Sequence, residues 1–244
     1  MKLKVDSLGA IVGALALSAA IFFGLVQVGH GISQRTSDGI TVTGSARVEA
    51  VADKATWTIT VQEVAAKPSD GIGRVNSGVD AVRNYLVEGG VTPDSVTLGG
   101  LNSFANEEYQ NGNPTGRIAS YRIYRDVTVR TNDVKRIDEL SKNIGALIEK
   151  GFGVNSNPPA YYISNLPDLR PKLLENAMQD AKTRAQAITK ATAGSVGAPK
   201  TVRSGPIQVT ARDSINAEDF GAYDTSTIEK TVTATVTVFF AITK

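Results

Sequence analysis

The chain has 244 residues, with 26 Lys and Arg against 24 Asp and Glu, one His and no Cys. Without cysteine there is no disulfide, thiolate nucleophile or Cys-based metal centre, and a single imidazole, His30, cannot supply a two-His metal site. A formal charge of +2 gives nucleic acid no basic surface to bind, and a chain this poor in catalytic side chains is not expected to be an enzyme.

The N-terminal region is apolar. From Leu8 to Val28 the sequence carries no charge and one amide, Gln27. As a helix at about 1.5 Å per residue it would reach about 31 Å, enough for a bilayer core of about 30 Å. Lys2 and Lys4 precede the run and only Arg35 follows closely. The positive-inside bias then leaves the N-terminus in the cytoplasm and exports the remainder. The run exceeds the apolar region of a cleaved signal, about 7–15 residues, and no A-x-A site follows it, so an uncleaved signal-anchor is expected. The alternative is a soluble periplasmic protein after signal cleavage. Within the run Ala16, Ala20 and Gly24 recur every fourth residue, and Gly9 and Gly13 make a GxxxG pair. Small residues so placed form a possible helix-packing face in lipid.

Residues 29–39 read as a polar, flexible tether. Ile40, Val42, Gly44, Ala46 and Val48 then alternate with polar residues, as do Ala55, Trp57, Ile59 and Val61. The pattern predicts two half-buried strands turned at Ala52–Asp53 and paired as a hairpin. Ile72, Val75, Val79, Val82 and Leu86 change the period to that of a helix ending at Gly89–Gly90. A strand near 95–104, a polar loop over 106–116 and a strand over 118–131 are expected next. A second helix starts at Asn132–Asp133 and carries Val134, Ile137, Leu140, Ile144, Leu147 and Ile148. Asp138 and Lys142 share its wet side. A short strand near 161–164 leads to the longest helix, about 168–192, with Pro171 in its first turn. Its expected inward face is Leu174, Ala177, Met178, Ala181, Ala185 and Ile188. A strand near 201–210, a loop over 211–226 and a last strand follow, the last with Val232, Ala234, Val236, Val238, Phe240 and Ile242 on one face. The expected class is α+β: a largely antiparallel sheet with helices packed on one face, preceded by a single N-terminal transmembrane helix. The domain plan is a cytoplasmic segment 1–7, the anchor 8–28, the tether 29–39 and one exported domain, 40–244.

No residue set selects a catalytic, cofactor or metal site. Trp57 lies on a strand's apolar face, and Glu107–Glu108 falls in the polar loop. Asp213, Glu218, Asp219 and Asp224 do not have calcium-loop spacing. Tyr121, Arg122, Tyr124 and Arg125 form an aromatic and basic strand that cross-strand packing and ion pairs would explain.

Four segments in order resemble one known family. ITVTGSARVEAVADKATWTITV (40–61) is similar to the opening strands of the SIMPL-domain family, and VTPDSVTLGGLNSF (91–104) to its stretch after the first helix. IASYRIYRDVTVRTNDVKRIDEL (118–140) and AMQDAKTRAQAITKATAGSVGAP (177–199) resemble its Tyr-containing strand and its late helix. The resemblance implies an exported α+β module of the bacterial envelope that self-associates into ring-like homo-oligomers, in a family linked in part to oxidative-stress defence. It supplies no catalytic residues and no cofactor. Together these readings imply a single-pass inner-membrane protein, N-terminus cytoplasmic, whose partners are itself and the membrane. A periplasmic module binding a small ligand or protein partner is the alternative.

Overall fold

The computed structural model describes residues 39–214 and 221–243. The expected anchor, its residues Gly9, Gly13, Ala16, Ala20 and Gly24, and His30 lie outside them. Among the described residues no helix is long and apolar enough to cross a membrane.

Nine strands and four helices are described. The strands are β1 (Gly39–Val51), β2 (Lys54–Ala65), β3 (Val96–Gln110), β4 (Asn113–Thr131), β5 (Val154–Ser156), β6 (Ala160–Tyr162), β7 (Ser195–Ser204), β8 (Gln208–Ala211) and β9 (Glu229–Thr243). The helices are α1 (Pro68–Glu88), α2 (Val134–Asn143), α3 (Gly145–Glu149) and α4 (Leu166–Ala191). The class is α+β, but the strands form two sheets, ordered β3-β4-β2-β5 with β6 also on β2, and β1-β9-β7 with β8 also on β9. The β2, β3 and β7–β9 pairings are antiparallel.

The chain folds as two compact units, and β1, α4 and β9 contribute residues to both. The larger comprises Ser45–Ala177 and Gly205–Thr235. In it β2 supplies Ala55, Trp57, Ile59 and Val61, and β4 supplies Ile123, Val127 and Val129, all buried. Alternation puts these side chains on one face, and α1 covers them with Val75, Val79, Val82 and Leu86. Each large side chain so buried contributes about 1.5–3 kcal/mol. Two glycines bring helix and sheet into close contact. A Cβ at Gly71 would meet Ile123 Cδ1 at 2.5 Å, and one at Gly78 would meet Val61 Cγ1 at 2.6 Å. Asp133 caps α2 by accepting from the Arg136 N–H at 3.1 Å, and Asp138 pairs with Lys142 at 2.7 Å as the spacing predicts. A second cluster in this unit joins Ile163, Leu173, Val209, Val232 and Ala234.

The smaller unit's described parts are 39–44, 178–204 and 236–243. Val42, Ala181, Ala185, Val236, Val238 and Phe240 are its buried apolar residues. Its strands β7 and β9 pair from Ser195↔Thr243 to Ser204↔Val236.

Several sequence expectations need correction. The predicted β1–β2 hairpin does not form, because β2 already has β4 on one side and β5 and β6 on the other. At Ala52–Asp53 the chain changes sheets instead. There the Ala52 N–H donates to the Ile228 carbonyl (2.8 Å) and the Asp53 N–H to that of Tyr162 (3.0 Å). The polar loop over 106–116 is also strand: β3 continues to Gln110, and Asn111–Gly112 turns directly into β4. Both turn residues have positive φ, 52° and 82°, the backbone that an Asn-Gly hairpin supplies at least cost. The strand expected over 201–210 is split at Gly205–Ile207 into β7 and β8.

The buried face of α4 is Leu173, Ala177, Ala181, Ala185 and Thr189, a strict four-residue repeat. Leu174 and Met178 lie at its margin and Ile188 faces water. The buried Thr189 hydroxyl is satisfied within the helix, donating to the Ala185 carbonyl at 3.0 Å.

Candidate functional site

The largest feature of the β3–β4 pair is its length. β2 pairs with β4 only from Thr131 to Tyr121. Beyond that point β4 has β3 alone as neighbour, down to Gln110↔Asn113. The result is a two-stranded arm that no other described strand joins. At the arm's root, where β2 still pairs with β4, the register sets one face: Phe104 lies opposite Arg122, and Arg122 opposite Val64, in a single cross-strand row. Tyr124, two residues on, stacks on Phe104 with ring centres 5.9 Å apart and planes within 6°. Further out Ile118 faces Glu107, and Tyr109 faces Pro114. Phe104 is 51% exposed and Tyr109 64%, with Val64, Leu101 and Ile118 also exposed. Aromatic residues and Arg with a charge-poor centre are the composition of protein–protein contacts.

The residues singled out from sequence are placed as follows. Trp57 is fully buried, and its indole N–H donates to Ser156 Oγ and the Asn157 carbonyl, both at 3.0 Å. It is a core residue. Glu107 and Glu108 lie on the arm's edge strand, not in a loop. Of the YRIYR residues, the cross-strand packing is present in the Phe104–Tyr124 stack. The expected ion pairs are not: Arg125 donates Nε–H to the Gly99 carbonyl (2.9 Å), and among the described residues neither Arg122 nor Arg125 has a carboxylate within ion-pair distance. Glu218 and Asp219 lie outside the described residues, and Asp213 is exposed in the turn after β8 with φ 61°.

Asp224 is the centre of a dense polar cluster in the larger unit. Its carboxylate accepts from the Ser226 hydroxyl (2.8 Å), the Thr227 hydroxyl (2.7 Å), the Thr227 N–H (3.1 Å) and Lys230 Nζ (3.0 Å). Lys230 also donates to the Asp224 carbonyl at 2.7 Å, and its side chain is completely buried. Burial pushes the Asp224 carboxyl up, but hydrogen bonds from Thr227, Lys230 and Ser226 outweigh it and hold the carboxyl well below the usual range. A hollow of about 450 Å³ beside this cluster is lined by Val209, Ala211, Ser214 and Gly221 among others, and among the described residues its only carboxylate is that of Asp224. Sequence reasoning missed the Lys230 pairing, although the alternation of β9 puts Lys230 on the buried face of Val232 and Ala234.

Two other acids serve the architecture. Asp53 accepts from the Ser164 N–H at 2.7 Å and from the Ser164 hydroxyl, and these bonds, the hydroxyl's first, lower its carboxyl. Tyr161 donates to Asp138 at 3.3 Å; burial and then the Asp138 charge push its phenol up to about 12. A groove of about 420 Å³ beside α1 is lined by Asp80, Arg83, Asn84, Val87, Pro93 and Val96, without a nucleophile or paired acids. Among the described residues no three His, Cys, Asp or Glu side chains converge as metal ligands.

Fold and surface together define an α+β module, two antiparallel sheets with helices and one long exposed hairpin. The chain belongs to the SIMPL family, described as "protein of unknown function (DUF541)", whose profile matches residues 40–240. It is similar to the uncharacterized protein YggE of Edwardsiella ictaluri, 24% identical over 208 residues, covering 83% of this chain and 80% of that protein. It is also similar to the interleukin-1 receptor-associated kinase 1-binding protein 1 homolog of Xenopus laevis, 26% identical over 180 residues, 72% of this chain and 67% of that one.

Proposed function

We propose that the protein is a membrane-anchored, self-assembling component of a bacterial envelope. Residues 8–28 hold it in the inner membrane with the N-terminus cytoplasmic, and the SIMPL domain forms a periplasmic homo-oligomer without catalysis. The observation that carries this reading is the β3–β4 arm, which no other described strand joins, with the half-exposed Phe104 at its root and the exposed Tyr109 and Ile118 further out. A two-stranded ribbon is marginal in water on its own, so an arm of this length is best explained by a partner. The uncharged run 8–28 supports the anchor, and Lys2 and Lys4 its orientation.

Mass photometry of the detergent-extracted full-length protein tests the assembly, with a discrete multiple of the 25.7 kDa chain as the expected mass. A monomer at its cellular concentration overturns it. Mass spectrometry of the native N-terminus tests the anchor separately, since a mature start near Gly29 would remove it. A periplasmic binding module contributing to stress tolerance is the second reading. The name of the Xenopus laevis relative, a binding protein, favours it. It predicts a ligand-dependent thermal shift in the protein without the anchor's involvement.

A further inference from the structure

Resting on the self-assembly reading, we propose that two copies of this chain join edge to edge through β3, in antiparallel register about a twofold axis at Ser103 or Phe104. The sheet β3-β4-β2-β5 ends on one side in β5 and β6, each of three residues. On the other side it ends in β3, with 15. Short edge strands, Pro, Lys and bulges are the usual protection of a sheet edge. Of the other sheet's outer strands, β7 has Pro199, Lys200, Arg203 and two register shifts, and β1 has Arg47. β3 has no Pro, Lys or Arg. Its irregularities flank the middle, between Leu98 and Leu101 and beyond Asn106. That leaves Leu101–Asn106 as an unbroken edge, paired with β4 on one side and with no described strand on the other.

The chemistry of that edge selects its occupant. Every second backbone N–H and C=O of the run points away from β4 and needs a hydrogen-bond partner once water is excluded. Lipid offers none, so this edge does not enter the hydrocarbon core of a bilayer. A strand supplies them all. A twofold axis normal to the sheet keeps each face on its own side, so both copies of the Phe104–Tyr124 stack form one continuous apolar surface. Charge fixes the direction. Glu107 and Glu108 sit at the tip end of the run, and the Arg125 guanidinium sits at its base, on the Gly99 carbonyl. Antiparallel pairing about Ser103 or Phe104 brings the acids of each copy to the Gly99–Leu101 stretch of the other, beside that guanidinium. Parallel in-register pairing would stack Glu107 and Glu108 on their own counterparts, which is unfavourable.

The absence of cysteine makes the test clean. Ser103→Cys and Phe104→Cys are made singly in the full-length protein and oxidised in native membranes, with Ser77→Cys on the exposed side of α1 as control. A residue at the axis faces its own copy at a Cα separation of about 4.5–5.5 Å, within disulfide reach. At least one of the two variants should pass mostly to the disulfide-linked dimer, while Ser77→Cys stays single. Ser103→Lys, which places two ammonium groups at the axis, should lose the oligomer in mass photometry with an unchanged far-UV circular dichroism spectrum. If the wild type is oligomeric, both cysteines accept a maleimide and neither links beyond the Ser77→Cys level, the β3 contact is wrong and self-assembly stands. If the wild type is a monomer, both fall.

Discussion

Replacing Asp224 by Asn leaves the Lys230 ammonium, completely buried, without a counter-charge. Among the described residues no other carboxylate lies within ion-pair distance of Lys230. Asn keeps an oxygen for the Thr227 and Lys230 hydrogens, so the loss is one of charge rather than of shape. Breaking a buried pair by removing one member costs about 3–5 kcal/mol. A quarter of the Asp224 side chain is exposed, so water compensates in part and the lower end, about 3 kcal/mol, applies. With about 2–4 °C per kcal/mol for a domain of this size, the melting temperature should fall by about 6–12 °C. Adding Lys230→Met removes the orphaned charge, and the double variant should return to within about 1 kcal/mol of wild type.

The acid limb gives an independent check. The folded Asp224 carboxyl lies below its unfolded value of about 3.9. Its contribution is therefore complete above about pH 4 and is lost as pH falls toward the folded value. The gap in stability between wild type and Asp224→Asn should narrow on acidification below pH 4. Differential scanning calorimetry across pH 3–7 measures both effects. The reasoning fails if Asp224→Asn melts within about 2 °C of wild type at pH 7, or if the double variant is less stable than the single one.

Other substitutions probe the rest of the fold. A Cβ at Gly153 would collide with the Gln62 carbonyl of β2; Gly153→Ala should cost about 1–3 kcal/mol in urea unfolding, and a neutral result would mean that β5 can move aside. Trp57, the sole tryptophan, should emit as a buried indole and shift to the red on unfolding. Trp57→Phe should lose about 1–3 kcal/mol with its two hydrogen bonds and part of its volume. Tyr161 stays neutral to about pH 12 in the folded protein and ionises near 10 when unfolded. Its contribution is complete below pH 10 and lost between about 10 and 12, so Tyr161→Phe should flatten the alkaline fall in stability over that interval.

What the sequence revealed depended on whether a segment has one buried face. β9 does, and its alternation gave the core positions Val232 to Phe240 correctly; the helical period of α1 did the same for Val75 to Leu86. The arm has neither face buried, so residues 106–116 carry no period-two signal and read as loop. Asn111–Gly112 was the available clue, since it demands two successive positive φ values. The partner of a strand is not encoded in its own alternation either, which is why β1 and β2 read as a hairpin although Trp57 and Val42 belong to different sheets. In α4 the error was one of phase. A run so rich in Ala gives two neighbouring faces similar polarity, and close packing chose the one through Thr189 over the one through Ile188. The aromatic strand YRIYR was visible, but not which of its residues reach water: Arg122 is exposed, Ile123 is fully buried and both tyrosines are half-buried.

The crossover at Ala52–Asp53 bears on which residues deserve a functional test. An acid in the family-like Ala-Asp turn is an obvious first candidate for proton chemistry. Here its carboxylate is occupied by both hydrogen-bonding groups of Ser164, and its own N–H by the Tyr162 carbonyl. Those bonds stabilise the ionised form, whereas a general acid near neutral pH needs a raised pKa. They also join β2 to the approach of α4 across 111 residues of sequence. Asp53 is therefore accounted for by the chain's change of sheet. Asp224 is accounted for in the same way by Lys230, and Asp138 by Tyr161 and Lys142. Once each of these acids has a partner, the exposed side chains with no internal explanation are those of the arm and its root, Phe104, Tyr109, Ile118 and Arg122. Variants there should change assembly before they change folding, the reverse of what Asp53, Asp138 or Asp224 should do.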